Sequence, residues 1–178
     1  MDNGNKKLNS NYIETILSLA PMQEGILFHY LLDKEADCYL EQLKITVMGK
    51  LDAVIFEKAW NMVAEANEML RTVFRWENLN NPVQAILKNH NVKVIVKDLS
   101  ENVDTESAVM EAAQADRKEY FNLTEVPFRV TLCKLSGTRH VILIANHHIL
   151  YDGWSNGVIL KEFFETYYAL AKQEIMVE

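Results

Sequence analysis

Two adjacent histidines, His147 and His148, are followed by Asp152, Gly153, Trp154 and Ser155. An imidazole, with an unperturbed pKa near about 6.5, suits accepting a proton from an amine, hydroxyl or thiol nucleophile. Asp152, in a tight turn with Gly153, suits orienting a histidine or pairing with an arginine from a distant segment. Gly153 permits close backbone approach and can direct a backbone N–H at a developing oxyanion. A metal site on His147, His148 and Asp152 is the competing chemistry. Adjacent strand residues point to opposite faces, however, and no further histidine or cysteine spacing completes a ligand set. Plainer readings stand beside these. A histidine at a strand end is commonly structural, an aspartate before glycine is commonly a turn residue, and a tryptophan is commonly core or rim.

The elements that hold these groups follow from periodicity. Arg139 to His148 reads as a strand, and Val141 to Ala145 is apolar at every position, as expected of a strand covered on both faces. After Gly153 a long helix begins, with Leu160, Phe163, Phe164, Tyr167, Tyr168 and Ala171 as its buried stripe. The polar cluster therefore occupies a loop between a central strand and a core helix, where both flanks are fixed. The two histidines are expected to diverge, one toward a channel and one into the interior.

Upstream, Pro21 suits the first turn of a helix running to about Leu32, because proline lacks only a donor that would be orphaned there. Gly25 inside that helix costs about 1 kcal/mol relative to alanine, which suggests close packing of another backbone. Tyr39 to Met48 alternates, with Leu43, Ile45 and Val47 on one face, and reads as a strand. Asp52 can cap a helix whose Ile55, Ala59, Met62, Val63 and Ala66 share a face. Thr72 to Trp76, Val83 to Leu87 and Val92 to Val96 read as strands, the first two joined through Asn80-Asn81-Pro82 as a hairpin. Asp104 starts a helix ending near Phe121. Phe128 to Leu135 is a strand, and Ser136-Gly137 turns the chain back.

A chain of 178 residues fits one domain or one lobe of a larger one, and 49% apolar residues suffice for a core. The net charge of −7, with lysines and arginines scattered, argues against a nucleic-acid partner. Cys38 and Cys133 read as buried thiols of a reduced compartment, with a disulfide between them as the alternative. Met1 to Ser10 is polar without an apolar stretch, so no signal peptide is read there, and no run approaches the length of a membrane span. A cytoplasmic protein without membrane contact is expected.

The pattern His147-His148-x-x-x-Asp152-Gly153 resembles the active-site motif of nonribosomal peptide synthetase condensation domains, members of the chloramphenicol acetyltransferase-like superfamily. Three further segments agree in order and spacing. Leu19-Ala20-Pro21-Met22-Gln23-Glu24-Gly25-Ile26-Leu27-Phe28-His29 resembles the first core motif, and Glu68-Met69-Leu70-Arg71-Thr72-Val73-Phe74 the second. Phe121-Asn122-Leu123, followed by Pro127-Phe128-Arg129, resembles the segment leading into the strand before the active site. The resemblance covers nearly all the chain after Asn11.

It implies an α+β fold, an α/β sandwich of the chloramphenicol acetyltransferase-like type, with one lobe built from a mixed sheet flanked by helices. Residues 12–178 would form the N-terminal lobe of a condensation domain. Residues 1–11 would be a flexible tail, a candidate docking segment. It further implies that His148 faces the channel where two carrier-tethered substrates meet and acts as base or positioner for the acceptor amine. Asp152 would be structural and held by an arginine, Gly153 would lie beside the reacting atoms, and His147 would be scaffold. Arg71, Trp154 and Ser155 would also brace the motif. No metal or cofactor is implied in the site itself, since the phosphopantetheine arms belong to donor and acceptor peptidyl carrier proteins. Other implied partners are the C-terminal lobe and adenylation domain of the same synthetase, and a C-terminal docking helix of an upstream synthetase.

There are departures. Family members often carry Arg-His before the glutamate of the second motif, where this chain has Ala66-Asn67. A complete condensation domain has two similar lobes and is more than twice as long, so the fragment is expected to be inactive alone. Two alternatives remain: a docking module that binds the C-terminal segment of an upstream synthetase, and a stand-alone chloramphenicol acetyltransferase-like acyltransferase.

Overall fold

The structure is a computed structural model that describes residues 10–34 and 38–175. Among the described residues, seven strands form two sheets. In the larger, β2 (Leu40–Met48), β7 (Arg139–His147), β6 (Phe128–Lys134) and β5 (Val94–Asp98) lie side by side in that order. Among the described residues, only β5 and β6 run parallel. A parallel pair needs a long crossover, here supplied by α3 (Thr105–Arg117). In the smaller sheet, β4 (Val83–Leu87) lies between β1 (Ile13–Ser18) and β3 (Thr72–Arg75), antiparallel to both.

Alternation on the central strand separates two cores. Val141 and Leu143 of β7 pack with Cys133 and Leu135 against Val109 and Ala112 of α3. Ile142 and Ile144 face the larger core, built on α1 (Pro21–Leu32), α2 (Ala53–Ala66) and α4 (Gly153–Ile175). Val141 to Ala145 is buried throughout, which explains its unbroken apolar run. Within the larger core, the Trp60 and Phe163 rings stack 4.4 Å apart and join α2 to α4.

Local chemistry fixes the element ends. Asp52 Oδ1 accepts from the Val54 and Ile55 amides, and Asp104 Oδ1 from those of Glu106 and Ser107; each satisfies orphan donors of a first turn. Gly49, after β2, has φ +114°, a left-handed conformation that favours glycine.

Several expectations need correction. β1 is not apparent from the sequence. α3 ends at Arg117 rather than near Phe121, because the Arg129 guanidinium takes up the Asp116 and Glu119 carbonyls. β5 begins at Val94 rather than Val92, because Asn61 Oδ1 accepts from the Val92 amide in place of a ladder partner. On α2, Phe56, Trp60 and Ala64 join Ile55, Ala59 and Val63 in the core, whereas Met62 and Ala66 are exposed: α2 packs against both the sheet and α4, so its buried face is rotated. On α4, Ile159 is buried and Tyr168 exposed, its ring lying along Phe164 on the outer side. A Cβ at Gly25 would meet nothing within 4 Å, so no close backbone explains that glycine. Both cysteines are free, but Cys38 is exposed in the connection before β2; only Cys133 is buried. The expected tail falls largely on residues 1–9, outside the described residues; Ser10–Tyr12 forms a short 3-10 turn. Among the described residues, no helix is long and apolar enough to cross a membrane.

Candidate active site

β7 delivers the two histidines to its end, and the neighbouring backbone holds them. The His147 amide donates to Pro127 O (3.1 Å) and the His148 amide to Tyr39 O (2.8 Å). The two side chains then part in exposure; β7 ends at His147 rather than at the expected His148, so the turn that begins at His148, not the pleat, sets the rings apart. His147 is 6% exposed, with its ring edge-on to Tyr30 and tilted against Tyr39. Its Nδ1 accepts from the Ile149 amide at 3.3 Å. Burial, and secondarily the neighbouring His148, lower its pKa to about 4, so this ring is neutral. His148 keeps 35% of its side chain exposed.

A residue that sequence reasoning missed stands beside it. Glu41 of β2 lies opposite Asn146 in the ladder, and its Oε1 is 3.0 Å from His148 Nδ1. That spacing is an ion-pair distance, but the angle is off that of a hydrogen bond. Glu41 Oε2 accepts from Asn146 Nδ2 at 3.3 Å. Tyr151 is buried close by, and its phenol pKa is raised by burial and by the charge of Glu41. The sequence did carry a signal: Glu41 shares the strand parity of Leu43, Ile45 and Val47, so a carboxylate opens an otherwise apolar face.

The loop is held from below by the first motif. Gln23 Nε2 donates to Ile149 O (3.0 Å), and its Oε1 accepts from the Ala20 amide at the start of α1 (2.9 Å). Gln23 also pairs with Gln84 of β4. One side chain thus ties the helix start, the small sheet and the histidine loop together.

Asp152 and Ser155 start α4. Asp152 Oδ1 accepts from the Ser155 amide (3.1 Å) and hydroxyl (3.0 Å), so its hydrogen-bond partner is this serine rather than the distant arginine expected. Gly153 is the first residue of α4 and is exposed. Trp154 is 90% exposed; among the described residues it is rim, not the scaffold expected of it. Arg71 is 7% exposed and braces the small sheet, donating to Ala64 O (3.1 Å), Leu87 O (2.5 Å) and Glu14 Oε2 (2.5 Å). Asn67 donates to Glu162 Oε2 of α4 at 2.7 Å. Among the described residues, no group of three histidine, cysteine or acidic side chains could hold a metal ion.

Comparison with known proteins identifies the family and the fold. The family model described as "Condensation domain" matches residues 13–178. Bacitracin synthase 3 of Bacillus licheniformis is 35% identical over 88% of this chain, and surfactin synthase subunit 2 of Bacillus subtilis (strain 168) is 35% identical over 92%. The chain spans only 2% and 5% of those two proteins. The starter condensation domain of rhizomide synthetase superposes with a TM-score of 0.84 at 24% identity, over 90% of this chain and 40% of that one. The first condensation domain of the CDA synthetase gives 0.83 at 21% identity, over 90% and 41%. These structures share the fold, and the family match spans every element from β1 to α4. The chain belongs to the condensation-domain family of nonribosomal peptide synthetases.

Proposed function

We propose that this chain supplies the histidine-bearing part of a site that joins two carrier-tethered substrates through an amide. The observation that carries the reading is the divergence at the end of β7: His147 is 6% exposed, while His148 keeps 35% of its side chain exposed. In this reaction the acceptor α-amine attacks the donor thioester carbonyl. A C–N bond forms, the C–S bond breaks, and the thiol leaves. The amine's proton passes to His148, which returns a proton to the departing sulfur. Asp152 and Ser155 fix the start of α4, and Gly153 sits at that start beside the histidine loop. Both acyl groups arrive on phosphopantetheine arms of donor and acceptor carrier proteins.

The chain spans 40% of the rhizomide starter domain. That partial span supports a reading in which protein beyond these residues completes the channel for the two arms; on this reading the 178-residue chain is inactive by itself. To test this, a donor thioester on its carrier is offered an aminoacyl carrier and, separately, a hydroxyl acceptor, with products read by mass spectrometry. Amide formed by the domain that contains this chain, and not by the chain alone, is the expected result. Transfer to the hydroxyl only would favour a chloramphenicol acetyltransferase-like reaction. Amide formation by the chain alone would refute the incomplete site.

A further inference from the structure

His148 is held at two points by the chain entering β2, once at its backbone and once at its ring. Its backbone amide donates to Tyr39 O at 2.8 Å, and its Nδ1 lies 3.0 Å from Glu41 Oε1. Nδ1 is shut off from solvent although 35% of the side chain is exposed, so the accessible part of the ring lies away from Glu41. Glu41 is itself held. It faces Asn146 across the β2–β7 ladder and accepts from Asn146 Nδ2 with its other oxygen. A carboxylate anchored on a neighbouring strand, touching one ring nitrogen while the other faces outward, determines which nitrogen carries the proton.

We propose that Glu41 is the positioning residue for His148, holding the proton on Nδ1 so that Nε2 is the free base presented to substrate. The proposal rests on the role given to His148 above. A neutral imidazole with hydrogen on Nε2 has no lone pair on the exposed side and cannot take a proton there. Glu41 selects the competent tautomer. It also offsets the positive charge that the ring acquires when Nε2 is protonated, as a buried carboxylate does for the base of a catalytic triad.

Two readouts test it. In the 178-residue chain, long-range 15N–1H spectra of neutral His148 are expected to show the proton on Nδ1, and to show it moved to Nε2 in Glu41→Leu. In the condensation domain that contains this chain, Glu41→Leu is expected to lower kcat by roughly tenfold or more, with KM changed by less than about twofold. Glu41→Gln, which keeps the shape and an acceptor oxygen, is expected to recover part of that loss. A merely structural glutamate would not move the tautomer. A wild-type His148 carrying its proton on Nε2, a tautomer unchanged in Glu41→Leu, or full kcat in that variant would each overturn the inference. His148→Ala is run in parallel and bears on the role of His148 alone: loss of turnover there with full turnover in Glu41→Leu defeats the inference and leaves that role standing. If instead His148→Ala retains full turnover, the role itself fails, and the spectra still report whether Glu41 sets the tautomer.

Discussion

Acid should destabilise this protein through His147 in a way that can be isolated. The ring is 6% exposed, and burial, reinforced by His148, holds its pKa down at about 4. The unfolded chain takes up the same proton near pH 6.5. The native state refuses a proton that the unfolded state accepts, so the contribution to stability is fully present above about pH 6.5 and is lost as the pH falls toward 4. Between pH 7 and pH 5 the loss from this one ring is about 2 kcal/mol, rising to about 3 below pH 4. Burial also lowers the pKa of His90 and His140, and carboxylates titrate further down, so the wild-type profile alone does not identify the source. His147→Asn removes the titration while keeping an acceptor near the Ile149 amide, which His147 Nδ1 engages at 3.3 Å. Urea unfolding of both proteins at pH 7 and pH 5 gives the answer by difference. The cost of the smaller side chain is the same at both pH values and cancels. The wild type should lose about 2 kcal/mol more than the variant over that interval. Equal losses in both proteins would refute the assignment of a depressed pKa to His147.

Two further substitutions test the supports of the site. Asp116 is buried and accepts from Arg129 Nε and Gln42 Nε2, each at 2.6 Å, so Arg129→Met leaves a buried carboxylate short of its cation. That variant should lose about 3–5 kcal/mol in urea unfolding, and adding Asp116→Asn should restore part of it; a loss below about 1 kcal/mol would show that the pair contributes little. Asp52→Ala removes the acceptor for two amides of α2 and should cost about 1 kcal/mol, with Asp52→Ser close to wild type; equal stability of Ala and Ser variants would remove the capping role.

Elements whose identity is carried by local patterning could be read from the chain. The apolar run at Val141 to Ala145 marks β7 as covered on both faces, and Pro21, Asp52 and Asp104 mark three helix starts; all four stand in the structure. Strand alternation predicts that His147 and His148 diverge, and they do differ in exposure, but β7 ends at His147 and the turn at His148 is what sets them apart. What could not be read depends on partners distant in sequence. β1 is short and mostly exposed, and it exists because β4, about 70 residues away, pairs with it. Glu41 meets His148 only through the β2–β7 register, across 107 residues. Gln23 lies within a motif that carries the family resemblance, yet its bond to Ile149 O becomes visible only once α1 is docked beneath the loop. Trp154 misleads in the opposite direction, since a large aromatic ring at a helix start suggests packing, and here it is 90% exposed.

The central claim is that His148, and not His147, handles the proton in amide formation. Its most direct test is single-turnover amide formation by the condensation domain that contains this chain, with a loaded donor and a loaded acceptor carrier, comparing wild type with His148→Ala. The account predicts a rate reduced by about 100-fold or more in the variant, the scale of a lost general base, with the fold unchanged by circular dichroism. A folded His148→Ala domain that forms the amide at the wild-type rate would contradict it.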